Sequence, residues 1–320
     1  MKPPSRFMLG LLALLAAGTA VAQSNYPEKP IHIIVGLPAG SSNDMVARLL
    51  AQRLAELLGK PVLVENVPGA AGNIGTDRVA KAAPDGYTLM VANNGQITVN
   101  PSLYKLSFDP VRDLVAISQL ADLPYMLVVH NAVPVKSAPE LVALARAKRG
   151  ELTYAAGGTG PFLTTEFFKS TAAIDVREIR YKGVVDAMPD LLSGRITMMF
   201  GPMPLVAPLV REGKLRALGV TSLRRSAAVP NVPTIDESIF PGFKSTLWYG
   251  LLAPGKTPET IVRKLHLETV NALARDEIRA KLADQGLGII GSSPDEFAAV
   301  IRSESPAWAK LIRDSGLKAD

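Results

Sequence analysis

The chain has 320 residues, 48% of them apolar and 20% charged, with a formal net charge of +6 and no cysteine. That length and composition allow a globular chain a substantial core, while the lack of cysteine excludes a disulfide framework, a thiolate metal site and a Cys nucleophile. The charge excess is mild, and basic residues cluster only at Arg146, Lys148 and Arg149 and at Arg224 and Arg225, which reads as solvated faces rather than a nucleic-acid stripe.

The first 22 residues stand apart. Lys2 and Arg6 make a positive start, Met8 to Ala17 is almost unbroken in apolar character, and Ala20-Val21-Ala22 fits a small-x-small cleavage pattern. This is the pattern of a secretory signal peptide, cut between Ala22 and Gln23; its apolar run is nearer ten residues than the roughly 20 that cross a bilayer. Every later apolar run is soon broken by Pro, Gly or charge, so the mature chain is expected to be soluble and free in a bacterial periplasm.

The β-branched run Ile31-His32-Ile33-Ile34-Val35, bounded by Pro30 and Gly36, predicts a buried strand. The stretch VGLPAGSSNDMVARLL (35–50) follows, and a helix after it carries Met45, Val46, Leu49, Leu50, Leu54, Leu57 and Leu58 on one stripe before stopping at Gly59. A strand at 61–65 leads through the Gly-rich loop 66–75 to a helix ending near 82, and Ala83-Pro84-Asp85-Gly86 turns into a strand at 87–92. Strand, Gly-rich loop, helix, strand is the rhythm of a parallel sheet flanked by helices.

The pattern restarts after Pro124: a strand at 126–130, a helix at 138–148, a strand at 152–156, and a turn, Gly157 to Pro161, opening a helix with Pro at its first position. Strands at 176–181, 196–200 and 215–221 and a helix at 184–192 follow. After a strand at 248–253 only helices are predicted, at 258–275, 276–285 and 294–314. A chain that makes one sheet, builds a second, then returns to cover the first predicts an α/β protein of two lobes: 23–125 with 226–320, and 126–225. They are joined by two or more crossings.

In the first loop Ser41 precedes Asp44 by three residues before an apolar run, a capping-box-like helix start. Gly40 and its neighbours are therefore expected to present free N–H groups at a positive helix end, a ready-made anion site. The loop lacks the Lys and the Gly spacing of a Walker motif, and alone it reads more readily as an ordinary strand-to-helix turn. Three such loops, at 40, 69–75 and 157–160, share the carboxyl ends of strands, where open α/β sheets bind ligands.

No catalytic or metal-binding constellation assembles. There is no Gly-x-Ser-x-Gly elbow, His32, His130 and His266 read as structural, and no His/Asp/Glu spacing resembles a zinc site. Lys182 is a possible ligand contact or a solvated strand-end lysine. No cofactor is expected.

At these residues the sequence resembles the Bug-type periplasmic receptors of tripartite tricarboxylate transporters, over essentially the whole mature chain. Val35, Leu37, Gly40, Asp44, Ala47 and Arg48 fall on the family's first loop, with Gly36 in place of a usual Pro and Ser41 in place of a second Gly. Residues 64–75 resemble its second loop, with Val67 where Arg is common. Ala83-Pro84-Asp85-Gly86-Tyr87-Thr88-Leu89, Asn100-Pro101-Ser102-Leu103-Tyr104, Tyr181-Lys182-Gly183 and Trp248-Tyr249-Gly250-Leu251 with Ala253-Pro254 extend the match in order.

The resemblance implies a Venus flytrap of two α/β lobes (type II-like), each a mainly parallel sheet flanked by helices, that captures a small carboxylate-containing solute. It implies contacts at Ala39, Gly40, Ser41 and Ser42, at Ala70, Ala71, Gly72 and Asn73, and at Gly158, Thr159 and Gly160, with Asn94 and Gln96 lining the same cleft. Integral-membrane transporter subunits are the implied protein partners, and a monomer is expected. The alternative is a secreted hydrolase with a Ser nucleophile in the 40–43 loop.

Overall fold

The computed structural model describes residues 26–157, 159–181 and 183–316. The signal segment and two of the expected contacts, Gly158 and Lys182, lie outside them.

Strand β1 (Ile31–Val35) is buried at every position but His32. Ile31, Ile33 and Val35 pack with Val46, Leu50 and Leu54 of α1 (Ser42–Leu58), while Ile34 points to the opposite face, the alternation a strand dictates. The helix ends as its sequence predicts, at Gly59 in the left-handed region (φ 65°). Strand β2 (Val62–Asn66), helix α2 (Asn73–Ala80) and β3 (Thr88–Asn93) complete a parallel unit in the order β2-β1-β3. Gly95–Val99 forms a π-helical turn.

The expected restart after Pro124 is corrected by the structure. Strand β4 (Leu114–His130) is a single 17-residue strand. After it come α3 (Ala138–Ala147), β5 (Thr153–Gly157), α4 (Thr159–Ala172), β6 (Arg177–Tyr181), α5 (Val184–Leu192), β7 (Met198–Pro202), α6 (Met203–Arg211) and β8 (Leu215–Val220). The chain then returns through β9 (Thr246–Pro254), α7 (Glu259–Leu273), α8 (Asp276–Asp284), β10 (Gly288–Ile289) and α9 (Pro294–Ser315).

The first part of β4 pairs with β9, from Leu114 opposite Pro254 to Pro124 opposite Thr246. From Tyr125 onward it pairs with β7 and β8 instead. Pro124 has no amide to give a ladder, so it is tolerated where one sheet hands over to the other. In α4 the helix starts at Thr159, which puts Pro161 third rather than first; its missing N–H is still one a helix start leaves unpaired. Helix α6 was hidden in the sequence by Pro204 and Pro208, the latter inside it.

Ile235 and Phe243 are buried with Phe168 and Phe200 in the core around β5–β8, and the chain crosses back into β9 at Thr246. A third crossing is helical. Phe297, early in α9, meets Trp248 edge-on at 5.0 Å, whereas Trp308, two-thirds of the way along, meets Phe167 of α4.

Between these ends sits Glu304, whose Oε2 accepts the indole N–H of Trp248 (2.8 Å). Burial pushes its carboxyl above the usual glutamate range, against the pull of Trp248, Lys244, Trp308 and Thr98. A raised folded-state pKa means the folded protein binds the proton more tightly, so the ionised form costs stability at high pH and the cost fades on acidification. Glu304→Gln is expected to raise the melting temperature by roughly 1–3 °C at pH 8, with the gain vanishing toward pH 4 in parallel thermal scans.

Candidate functional site

Where the two parts of the sheet meet, a cavity of about 360 Å³ is lined from both sides. The first side contributes Asn94 and Val99, the crossings contribute Leu123, Tyr125 and Leu247, and the second side contributes Thr159, Gly160 and Val184. No charged side chain lines it among the described residues.

Of the expected contacts, Asn94, Thr159 and Gly160 reach this cavity. Residues 39–42 and 70–73 do not line it; their loops lie side by side, held together by Gln96. The Oε1 of Gln96 accepts from Asn43 Nδ2 (3.0 Å) and from the Asn93 amide (3.2 Å). Its Nε2 lies between the loops, 2.5 Å from where a Cβ on Gly36 would sit and 2.4 Å from where one on Gly72 would sit. Gln96 is 1% exposed, and its buried Nε2 has no protein acceptor among the described residues. Asn73, also buried, accepts from Asn100 Nδ2 (2.7 Å) in the same packing.

The first loop is corrected in its electrostatics. Ser41 does cap α1, accepting from the Asp44 amide at 3.3 Å, but Asp44 returns its own carboxylate to the loop: Oδ2 accepts the Gly40 N–H at 2.9 Å and Oδ1 the Asn66 side-chain amide at 2.9 Å. The Ser41 N–H goes to the Pro38 carbonyl (3.2 Å). The amides expected to be free at Gly40 and Ser41 are thus engaged. Burial pushes the Asp44 carboxyl up, but the Arg48 guanidinium, the Gly40 amide and Asn66 hold it below the usual aspartate range, so an internal anion occupies this helix start.

Open donors lie one step further on. Among the described residues the amides of Ser42, Ala70 and Ala71 have no protein acceptor. Ala70, Ala71 and Gly72 are consecutively at positive φ (47°, 54° and 91°), a strained run, and α2 has no side-chain cap because its N-cap residue is Gly72.

Tyr125 lines the cavity, and Tyr249 lies near enough to act on its hydroxyl. Tyr125 stands against Gly160, whose added Cβ would come within 2.1 Å of the phenolic oxygen. Burial and then the nearby Tyr249 push the Tyr125 hydroxyl well above its usual range; burial does the same to Tyr249, with Ser42 drawing it back. Both therefore remain neutral donors at physiological pH. Tyr249 had a sequence signal in its Trp-Tyr-Gly run, whereas Tyr125 had none.

A family profile described as the tripartite tricarboxylate transporter family receptor matches residues 46–317. Protein BugT of Bordetella pertussis is 35% identical over 311 residues, covering 96% of this chain and 95% of that protein. MatC from Rhodopseudomonas palustris, solved with bound malate, is 30% identical with a TM-score of 0.67, covering 90% of this chain and all of that one (100%). A solute-binding protein of the same family from Polaromonas, solved with no ligand, is 26% identical but superimposes at a TM-score of 0.83, covering 90% of this chain and 99% of that one.

Proposed function

Because the chain belongs to the tripartite tricarboxylate transporter family of receptors, we propose that it captures a small organic acid, of the dicarboxylate kind, between its two lobes. It is a solute-binding receptor with a two-lobed periplasmic-binding-protein fold. The observation that carries the proposal is the cavity walled by both sides of the sheet and by the crossings. In the occupied form the carboxylates take the open amides of Ser42, Ala70 and Ala71 and neutral hydroxyls such as that of Tyr125, while Thr159 and Gly160, with Gly158, approach from the other lobe. Oriented backbone dipoles stabilise the charge without a cation.

The lobes divide at Pro124/Tyr125 and at Ser245–Leu247, with α9 strapped across both. The better superposition on the unliganded Polaromonas protein than on the malate-bound one, despite lower identity, supports an open form that closes on its solute, because only closure makes both sets of contacts. The chain is exported with its signal cut after Ala22, acts in the periplasm as a monomer, and delivers its acid to the transporter's membrane subunits.

An enzymatic role is not proposed. A serine without a positioned base is a weak nucleophile, and the Ser41 hydroxyl is committed to capping α1. Titration calorimetry with an organic-acid panel, paired with small-angle scattering, tests the reading: a saturating acid is expected to reduce the radius of gyration. An unchanged radius with saturated binding would remove the hinge, and hydrolysis of an ester lost in Ser42→Ala would replace the receptor.

A further inference from the structure

We propose that this cleft selects organic acids with a hydrocarbon body over hydroxylated acids of the same charge and length. The inference rests on the receptor reading above and names the class of solute it takes. The walls between the polar loops are apolar: Val99, Leu123, Leu163, Val184, Leu247 and Trp308 face the cavity.

Several polar groups among the lining residues are spent on one another, while the buried Thr246 hydroxyl has no protein partner among the described residues. The hydroxyls of Thr164 and Ser245 bond to each other at 2.7 Å and lie almost fully buried. Asn94 gives its Nδ2 to the Thr246 carbonyl (3.1 Å). Asn93 uses both ends of its amide, donating to Asn43 Oδ1 (3.1 Å) and accepting from the Gln96 amide (3.2 Å).

A methylene against these apolar residues loses water favourably, whereas a hydroxyl set against them trades its water for no partner. Each unpaired hydroxyl is expected to weaken binding on the order of tenfold. The carboxylates keep their donors at the loop edges in either kind of acid, so the discrimination falls on the body of the molecule.

The test compares adipate with galactarate, six-carbon dianions that differ by four hydroxyls, by titration calorimetry on the mature protein, with malate and citrate alongside. Adipate is expected to bind at least about 100-fold more tightly than galactarate. Val184→Thr, which sets a hydroxyl of nearly equal size into the wall, is expected to narrow that gap several-fold while the melting temperature stays close to wild type. Equal or tighter binding of galactarate, or binding of malate or citrate but not adipate, overturns the selectivity and leaves the receptor standing. No binding of any of the four overturns both.

Discussion

Gly72→Ala is expected to cost about 3 kcal/mol of stability and to weaken acid binding at least about 100-fold. Gly72 has φ 91°, where a side chain is strained, and an added Cβ would lie 2.4 Å from Gln96 Nε2 and 2.9 Å from its Cδ. Backbone strain of roughly 1–2 kcal/mol and overpacking of roughly 1–3 kcal/mol act on one atom. Gln96 cannot retreat, since Asn43, Asn93 and the facing Gly36 hold it. The displaced loop carries the amides of Ala70 and Ala71, and losing two hydrogen bonds to a charged group is enough for the affinity loss. Urea unfolding and calorimetry measure both effects. In a Gln96→Ala background the same substitution should cost only the backbone strain, a coupling a double-mutant cycle reads directly; an unchanged urea midpoint in Gly72→Ala alone would sink the account.

Asp44→Ala is expected to destabilise the protein by about 3 kcal/mol at neutral pH and to lower acid affinity with it. The substitution strips the acceptor that holds Gly40, Asn66 and Arg48 in register and leaves the start of α1 without its internal anion. Because the Asp44 pKa is depressed in the folded state, its stabilisation is fully present above the ordinary aspartate range, near pH 4, and is lost as pH falls through the lower folded-state value. The wild-type advantage over Asp44→Ala should therefore be flat from pH 8 to about 5 and shrink below 4. An advantage that instead grew on acidification would mean that the carboxylate is not the stabilising form.

The buried β-branched run Ile31–Val35, the stripe of α1 stopping at Gly59 and the cap at Ser41 were legible in the sequence because they depend on residue type, on spacings of three to four residues and on the conformational freedom of glycine. The same local rules located the three loops. They could not say which amides stay open, since a carboxylate four residues from Gly40 takes one of them, a choice made by side-chain geometry rather than by residue type.

What only the tertiary structure decided lies at long range. Asn43 meets Gln96 across 53 positions, Asn94 meets Thr246 across 152, and Tyr125 is fixed by Thr221 across 96. Residues 114–130 look like an interrupted pattern because their neighbours change at Pro124, from β9 to β7 and β8; no periodicity within a strand records which strands flank it. The sequence by itself determined β1, α1 and the place of the Gly-rich loops, but not the first part of β4 or α6. The fold decided the crossings, the bracing of the loops by Gln96 and the apolar cleft beside Tyr125, because each is a contact between segments whose separation along the chain carries no local signal.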